Sequence, residues 1–154
     1  CSVKLYIFPY FLQKEDEKHK ESIVAVLYDE KQDKYLTINW GDLGGRLFVG
    51  GTRHENESAV DCAIREIKEE TGYTDFELLE KYSQLIITTM HNKKQAYEIN
   101  STGLLFKLTS DATQEVNLDD DEKDNFKVEW VDEKTIRKEV MDELHITTFT
   151  NLLK

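Results

Sequence analysis

Glu66, Glu69 and Glu70 stand within one short stretch, "REIKEETG", and carboxylates three or four residues apart on a helix repel each other. In a chain whose formal net charge is already −11, such a cluster needs either an indifferent solvent or a cation. Oxygen donors of this kind suit magnesium or manganese, hard cations bound through a few carboxylates, waters and substrate phosphates. Left alone, the three carboxylates would raise one another's pKa, whereas a divalent ion stabilises the ionised forms. Just upstream, Gly50 and Gly51 allow a tight turn in which backbone can approach a ligand more closely than a side chain would permit. Arg65 adds a local positive charge able to pair with Glu57 or Glu69.

Helical geometry decides whether these groups share a face. Successive residues turn about 100°, so with Glu66 at zero, Glu70 lies near +40° and Glu69 near −60°. Val60, Ile64, Ile67 and Thr71 cluster at about +100° to +160° by the same rule. The carboxylates therefore form an acidic patch beside a separate apolar stripe, at the boundary of a core where a cleft could open. Taken alone, such glutamates are more often the plain solvated face of a surface helix. Gly72 alone is a helix terminator.

The elements that must position these residues are legible along the chain. "KLYIFPYFL" is rich in β-formers but is broken by Pro9, which suits an edge strand or an anchoring arm. After the charge run "QKEDEKHKE", the spans Ile23 to Tyr28 and Tyr35 to Trp40 predict two strands of a hairpin. "GDLGG" predicts a flexible loop, "RLFVGG" a short strand ending in the paired glycines, and "ESAVDCAIREIKEETG" a helix stopped by Gly72. "FELLEKYSQLIITTMH", "QAYEINSTGLLFKLT" and "FKVEWV" predict further strands, with an acidic loop, "SDATQEVNLDDDEKDN", before the last. The closing segment "DEKTIRKEVMDELHITTFTNLLK" has a helical apolar period in Ile136, Val140, Met141, Leu144 and Phe149. Strands, helix, strands, helix predict an α+β architecture with a mixed sheet and helices packed on it.

Composition narrows the class of function. The 154 residues fit one domain spanning 1–154, long enough to bury a core without staples. The net charge of −11 repels polyanions, so nucleic acid is an unfavoured partner unless a cation or a basic patch intervenes. Cys1 and Cys62 form no disulfide framework or metal spacing, which suits a reducing compartment and predicts the cytoplasm. No apolar run approaches membrane-spanning length, and the start lacks the features of a signal peptide. The chain begins at Cys1 rather than methionine, a pattern expected of a domain cut from a longer polypeptide. Its N-terminal apolar arm could exchange between subunits, so a homodimer is an allowed form.

The spacing of the whole segment is more specific than any of its parts. Gly51, five residues, Glu57, seven residues, then Arg65, Glu66, Ile67, one residue, Glu69, Glu70, one residue, Gly72 and Tyr73: this pattern resembles the complete box of the Nudix hydrolases. The order of elements around it is similar too, so the resemblance covers nearly the whole chain, although only the box is diagnostic. Val49 stands where the family often has a proline before the two glycines, a departure that does not touch the box residues.

The resemblance implies an α/β/α sandwich and an enzyme that hydrolyses a diphosphate linkage in a nucleoside diphosphate derivative, with magnesium or manganese. It implies that Glu66, Glu69, Glu70 and Arg65 are catalytic, with Glu69, Glu70, the Gly51 carbonyl and Glu66 as metal ligands, or Glu66 as the base. Glu57, with Arg65, would orient the loop and helix, and Gly72 would end the helix. A further acidic ligand from outside the box is expected at Glu122, with Asp121 and Asp124 behind it. Trp40, Phe48 and Tyr97 are candidates to bind substrate by stacking, and so is His91, although each such residue is more often core or plain surface. A more particular resemblance joins "INWGDLGGRLFVGG", "REIKEETGY", "TGLLFKL" and "VEWVDEKTI" to Nudix domains fused to leucyl-tRNA synthetases in some bacteria. The rival expectation is a non-catalytic nucleotide-recognition or interaction module of the same fold, within a larger protein such as an aminoacyl-tRNA synthetase.

Overall fold

The structure is a computed structural model that describes residues 3–7, 18–89, 96–116 and 126–154. Its strands are β1 (Val3–Ile7), β2 (Lys18–Asp29), β3 (Lys34–Asn39), β4 (Arg46–Leu47), β5 (Val49–Thr52), β6 (Phe76–Thr89), β7 (Ala96–Leu108) and β8 (Lys127–Val131). Its helices are α1 (Ala59–Thr71), α2 (Glu133–Glu139) and α3 (Glu143–Leu152). The strands form one sheet in the order β1-β6-β7-β2-β3-β4, with β5 paired to β2 and β8 to β3. β1 runs parallel to β6 and β2 parallel to β7, while the other pairs are antiparallel. The sheet is thus mixed, and β1 takes the edge position that the proline-broken sequence implies.

β2 is the axis of this arrangement, and its sequence says why. "IVAVL" is apolar at every position, the mark of a strand covered on both faces. Ile23, Ala25 and Leu27 pack with Cys62, Ala63 and Ile67 of α1. Val24 and Val26, on the other face, pack with Ile136 of α2 and Phe149 and Leu152 of α3. Helices on both sides of the sheet complete an α/β/α sandwich. The strand also extends further than its apolar run: Lys18 to Glu21, expected as part of a solvated charge run, continue the pairing with β7.

The β2–β3 hairpin opens soon after its turn. Only Tyr28↔Tyr35 and Asp29↔Lys34 pair directly. Beyond them the segment Arg46–Thr52 enters between the two strands, β4 pairing with Ile38 and Asn39 and β5 with Ser22 to Ala25. Gly50 and Gly51 therefore lie in a strand, opposite Val24 and Ile23, rather than in the tight turn suggested by their pairing in the sequence. The preceding "GDLGG" forms a short 3₁₀ turn closed by Trp40 N–H donating to the Gly45 carbonyl at 2.8 Å.

The last segment forms two helices rather than one. Asp132 accepts from Thr135 N–H at 2.8 Å and Asp142 from His145 N–H at 3.1 Å, so each helix has its own N-cap. Between them Val140 is extended, with ψ near 102°, and Met141 is 80% exposed instead of sharing the apolar stripe. The break turns the start of α3 towards β5, which matters for the site below.

Candidate active site

α1 begins at a capped end and stops at a glycine. Ser58 Oγ accepts from Asp61 N–H at 3.0 Å, and Gly72 closes the helix with φ +82°. That left-handed backbone favours glycine, and a Cβ at Gly72 would also lie 2.6 Å from the Gln114 carbonyl oxygen. The helix buries more of its circumference than the simple apolar stripe predicts. Cys62 and Ala63 are fully buried beside Ile67, and by the 100° rule Cys62 lies about 40° from Glu66 on the glutamate side. The acidic face is therefore turned towards β5 and is only partly open to solvent.

Arg65 organises that face. It donates through Nε and Nη2 to the two carboxylate oxygens of Glu57 at 2.8 and 3.0 Å, a two-pronged ion pair of the strong kind. Nη1 donates to Glu66 Oε1 at 2.9 Å and to Glu69 Oε2 at 3.3 Å. Glu57 also accepts from His54 N–H at 3.0 Å. The Arg65 guanidinium, with help from the His54 amide, holds the Glu57 carboxyl down at about 2. The same bonds push Arg65 above its ordinary value. Burial raises the Cys62 thiol to about 11, leaving it protonated and inert at neutral pH.

This pair carries a pH signature. A folded-state pKa of about 2 against an ordinary value of 4.5 means that the Glu57 contribution is complete above pH 4.5 and is lost as pH falls towards 2. The urea midpoint of the wild type should drop more steeply across that window than that of Glu57→Gln, which lacks the titrating group. Parallel slopes in the two proteins would refute the assignment.

Gly51 meets Glu66 directly. An ideal Cβ on Gly51 would sit 2.6 Å from both Cδ and Oε1 of Glu66, too close for any side chain to coexist with the carboxyl where it stands. A Cβ on Gly50 would make only ordinary contacts, 3.5 Å or more. Gly51→Ala should thus move a carboxyl that Arg65 tethers and lower turnover about tenfold, within the range expected for a disturbed ligand shell. Gly50→Ala should leave the melting temperature nearly unchanged. Kinetics and melting curves of the two variants check the contrast.

A cleft of about 390 Å³ opens beside these glycines, within the range of small-ligand sites. Trp40, Phe48, Gly51 and Glu70 line it, as do Lys20, Ser22, Asp142 and His145, which no local sequence pattern singles out. Trp40 is half-buried, its ring packed on Phe126 at 4.9 Å. Phe48 is only 2% exposed and stacks against Phe149 and His145, so its ring is largely committed to the core. Glu69 is more open than Glu66, its side chain 59% exposed against 14%. The acidic candidates Asp121, Glu122 and Asp124 lie outside the described residues, as do His91 and the side chain of Tyr97.

Among the described residues, no three carboxylate, imidazole or thiol groups converge into a ready metal centre. The reason is visible in the ion pairs: Arg65 draws Glu66 and Glu69 to itself. The donor chemistry still fits a hard divalent cation, because Glu70 and the backbone of Gly51 line the cleft and the Glu66 carboxyl stands against Gly51. Among the described residues, no helix is long and apolar enough to cross a membrane.

The likeness to known proteins agrees with this arrangement. The curated mRNA-decapping enzyme subunit 2 and m7GpppN-mRNA hydrolase of Saccharomyces cerevisiae are 26% identical over 125 residues, covering 79% of this chain and 12% of theirs. A NUDIX hydrolase structure from Nitrosomonas europaea matches with a TM-score of 0.62 at 19% identity, covering 87% of this chain and 88% of that one. The C. elegans Ap4A hydrolase matches at 0.59 and 19% identity, covering 89% of this chain and all (100%) of that one. At these identities the two structures attest the fold alone. The sequence model of the NUDIX domain matches residues 18–152, most of the chain and the whole of the β5–α1 segment, and on that ground the chain belongs to the Nudix family.

Proposed function

We propose that the chain is a single-domain, divalent-metal-dependent pyrophosphohydrolase that cleaves a diphosphate linkage in a nucleoside diphosphate derivative by attack of water at phosphorus. The observation that carries this reading is the junction of β5 and α1. There Gly51 admits the Glu66 carboxyl, Arg65 ties Glu66 and Glu69 to Glu57, and Glu70 reaches the cleft.

The residues that would hold Mg²⁺ or Mn²⁺ are Glu66, Glu69, Glu70 and the Gly51 carbonyl, with Glu122 as a further candidate. When bound, such an ion neutralises charge on the diphosphate oxygens and lowers the pKa of the attacking water. The protein's own groups do the rest. Where Glu66 serves as the base in place of a ligand, Arg65 on Oε1 leaves Oε2 to take a proton from water as the new P–O bond forms and the bridging P–O bond breaks. The bidentate grip of Arg65 on Glu57 fixes the loop before α1 against the helix, so the carboxylates start near their working positions. Lys20 lends the cleft a positive charge in an otherwise acidic chain. The cytoplasm is the compartment that fits the buried free thiol of Cys62.

A panel of nucleoside diphosphate sugars, dinucleoside polyphosphates, nucleoside triphosphates and capped dinucleotides, assayed with each metal and with chelator, tests the proposal. Metal-dependent release of a nucleoside monophosphate supports it. Binding of nucleotides without turnover on any member would favour the recognition module instead.

A further inference from the structure

His145 enters the cleft from the third position of α3. Its Nδ1 accepts a hydrogen bond from Phe48 N–H at 3.1 Å. An imidazole nitrogen that accepts carries no proton, so the single proton of the neutral ring sits on Nε2. The ring is set by two further contacts: Asp142 caps the helix through His145 N–H at 3.1 Å, and Phe48 stacks with it, the planes 3° apart. Its free edge faces Gly50, where a Cβ would lie 3.6 Å from Cε1 and 3.7 Å from Nε2. Among the described residues Nε2 has no hydrogen-bond partner.

A second polar group on the same wall is also without a partner. Ser22, two residues from the Val24 that pairs with Gly50, lines the cleft, and its buried Oγ makes no hydrogen bond among the described residues. Buried polar groups are normally satisfied, so the buried Ser22 hydroxyl calls for a partner, and the half-buried His145 offers the cleft an open donor on the same wall. The surroundings say what kind of group it is. Val24, Ile99 and Leu144 are apolar, Trp40 offers an aromatic wall, and Asp142 and Glu70 stand at the margins. A neutral donor between apolar walls and an aromatic ring suits a planar neutral ring with an acceptor edge, while Lys20, on the same cleft, supplies the positive charge that a phosphate needs.

Resting on the proposed substrate cleft, we infer that His145 is a specificity-determining residue. Through Nε2–H it donates to the acceptor edge of a nucleobase, with Ser22 Oγ beside it, and so selects a base-bearing diphosphate over a base-free one. Burial, only partly opposed by Asp142, lowers the His145 pKa, which agrees with a neutral ring.

Two substitutions separate this role from a structural one. In His145→Asn the shorter amide oxygen can still accept from Phe48 N–H while the distal donor is gone; in His145→Gln an amide reaches the Nε2 position. For the best nucleoside diphosphate substrate, His145→Asn should raise KM about tenfold, the effect of one lost hydrogen bond, with kcat within about twofold. His145→Gln should recover part of the loss. A matched ribosyl diphosphate lacking the base should show KM values within about twofold across all three proteins. Equal KM changes with and without the base, a fall in kcat alone, or a Gln variant no better than Asn would overturn the inference while leaving the hydrolase reading intact. Should a variant fail to fold, or the wild type hydrolyse nothing, imidazole ¹⁵N spectra of the wild type decide. Adenosine and uridine monophosphate should shift the His145 Nε2 resonance and ribose 5-phosphate should not; any other pattern refutes the role.

Discussion

Glu70→Gln is expected to lower turnover at least about a hundredfold while leaving the fold intact, because loss of a metal ligand should cost no less than loss of a supporting partner. Of the three glutamates it is the one that lines the cleft. The substitution keeps the shape of the side chain and removes only its charge. It also sits on a helix whose core contacts, Cys62, Ala63 and Ile67, are untouched, so the melting temperature should stay within a few degrees. Glu69→Gln should show a similar direction, although its exposed carboxyl already shares Arg65 with Glu66. The informative measurement is kcat/KM as a function of Mg²⁺ and Mn²⁺ concentration. A ligand role requires that the variants need more metal as well as turning over more slowly. Turnover that survives both substitutions would sink the assignment of these residues.

Arg65→Ala should cost both stability and activity. The wild-type guanidinium makes two bonds to Glu57 and one each to Glu66 and Glu69. Removing it leaves the carboxyls of Glu57 and Glu66, each 14% exposed, close together with their shared cation gone. Breaking a fully buried pair this way is strongly destabilising, and contact with solvent here moderates the loss. In a protein of 154 residues the expected fall in melting temperature is about 5 °C. Turnover should fall about a hundredfold, since the carboxylates lose the group that holds their spacing. Arg65→Lys separates charge from geometry: a lysine keeps the cation but cannot grip Glu57 at two points. It should recover most of the stability and little of the activity. An Arg65→Ala variant with wild-type kcat/KM would show that the network is merely structural.

Much of this site is legible from sequence because it is local. Glu66, Glu69, Glu70 and Gly72 lie on or at the end of one helix, and helical periodicity relates them without knowledge of the rest of the fold. The apolar run of β2 likewise announces a strand covered on both faces. The two N-caps that split the final segment were present as Asp132 and Asp142, each followed by a glutamate, but the apolar period through Val140 and Met141 hid the break. Cys62 shows the limit of a helical wheel. It falls on the glutamate side and is nonetheless fully buried, because β5 packs there.

The sequence by itself determined the family, through the spacing from Gly51 to Gly72, and the chemistry of the groups that α1 carries. Tertiary structure alone decided where those groups lie. The opening of the β2–β3 hairpin lets β5 into the sheet and presses Gly51 against Glu66. The break before α3 brings His145, far beyond Gly51 along the chain, onto the wall of the same cleft. No local pattern could foretell that contact, since it depends on strand pairing and helix packing between distant segments rather than on the spacing within any one of them.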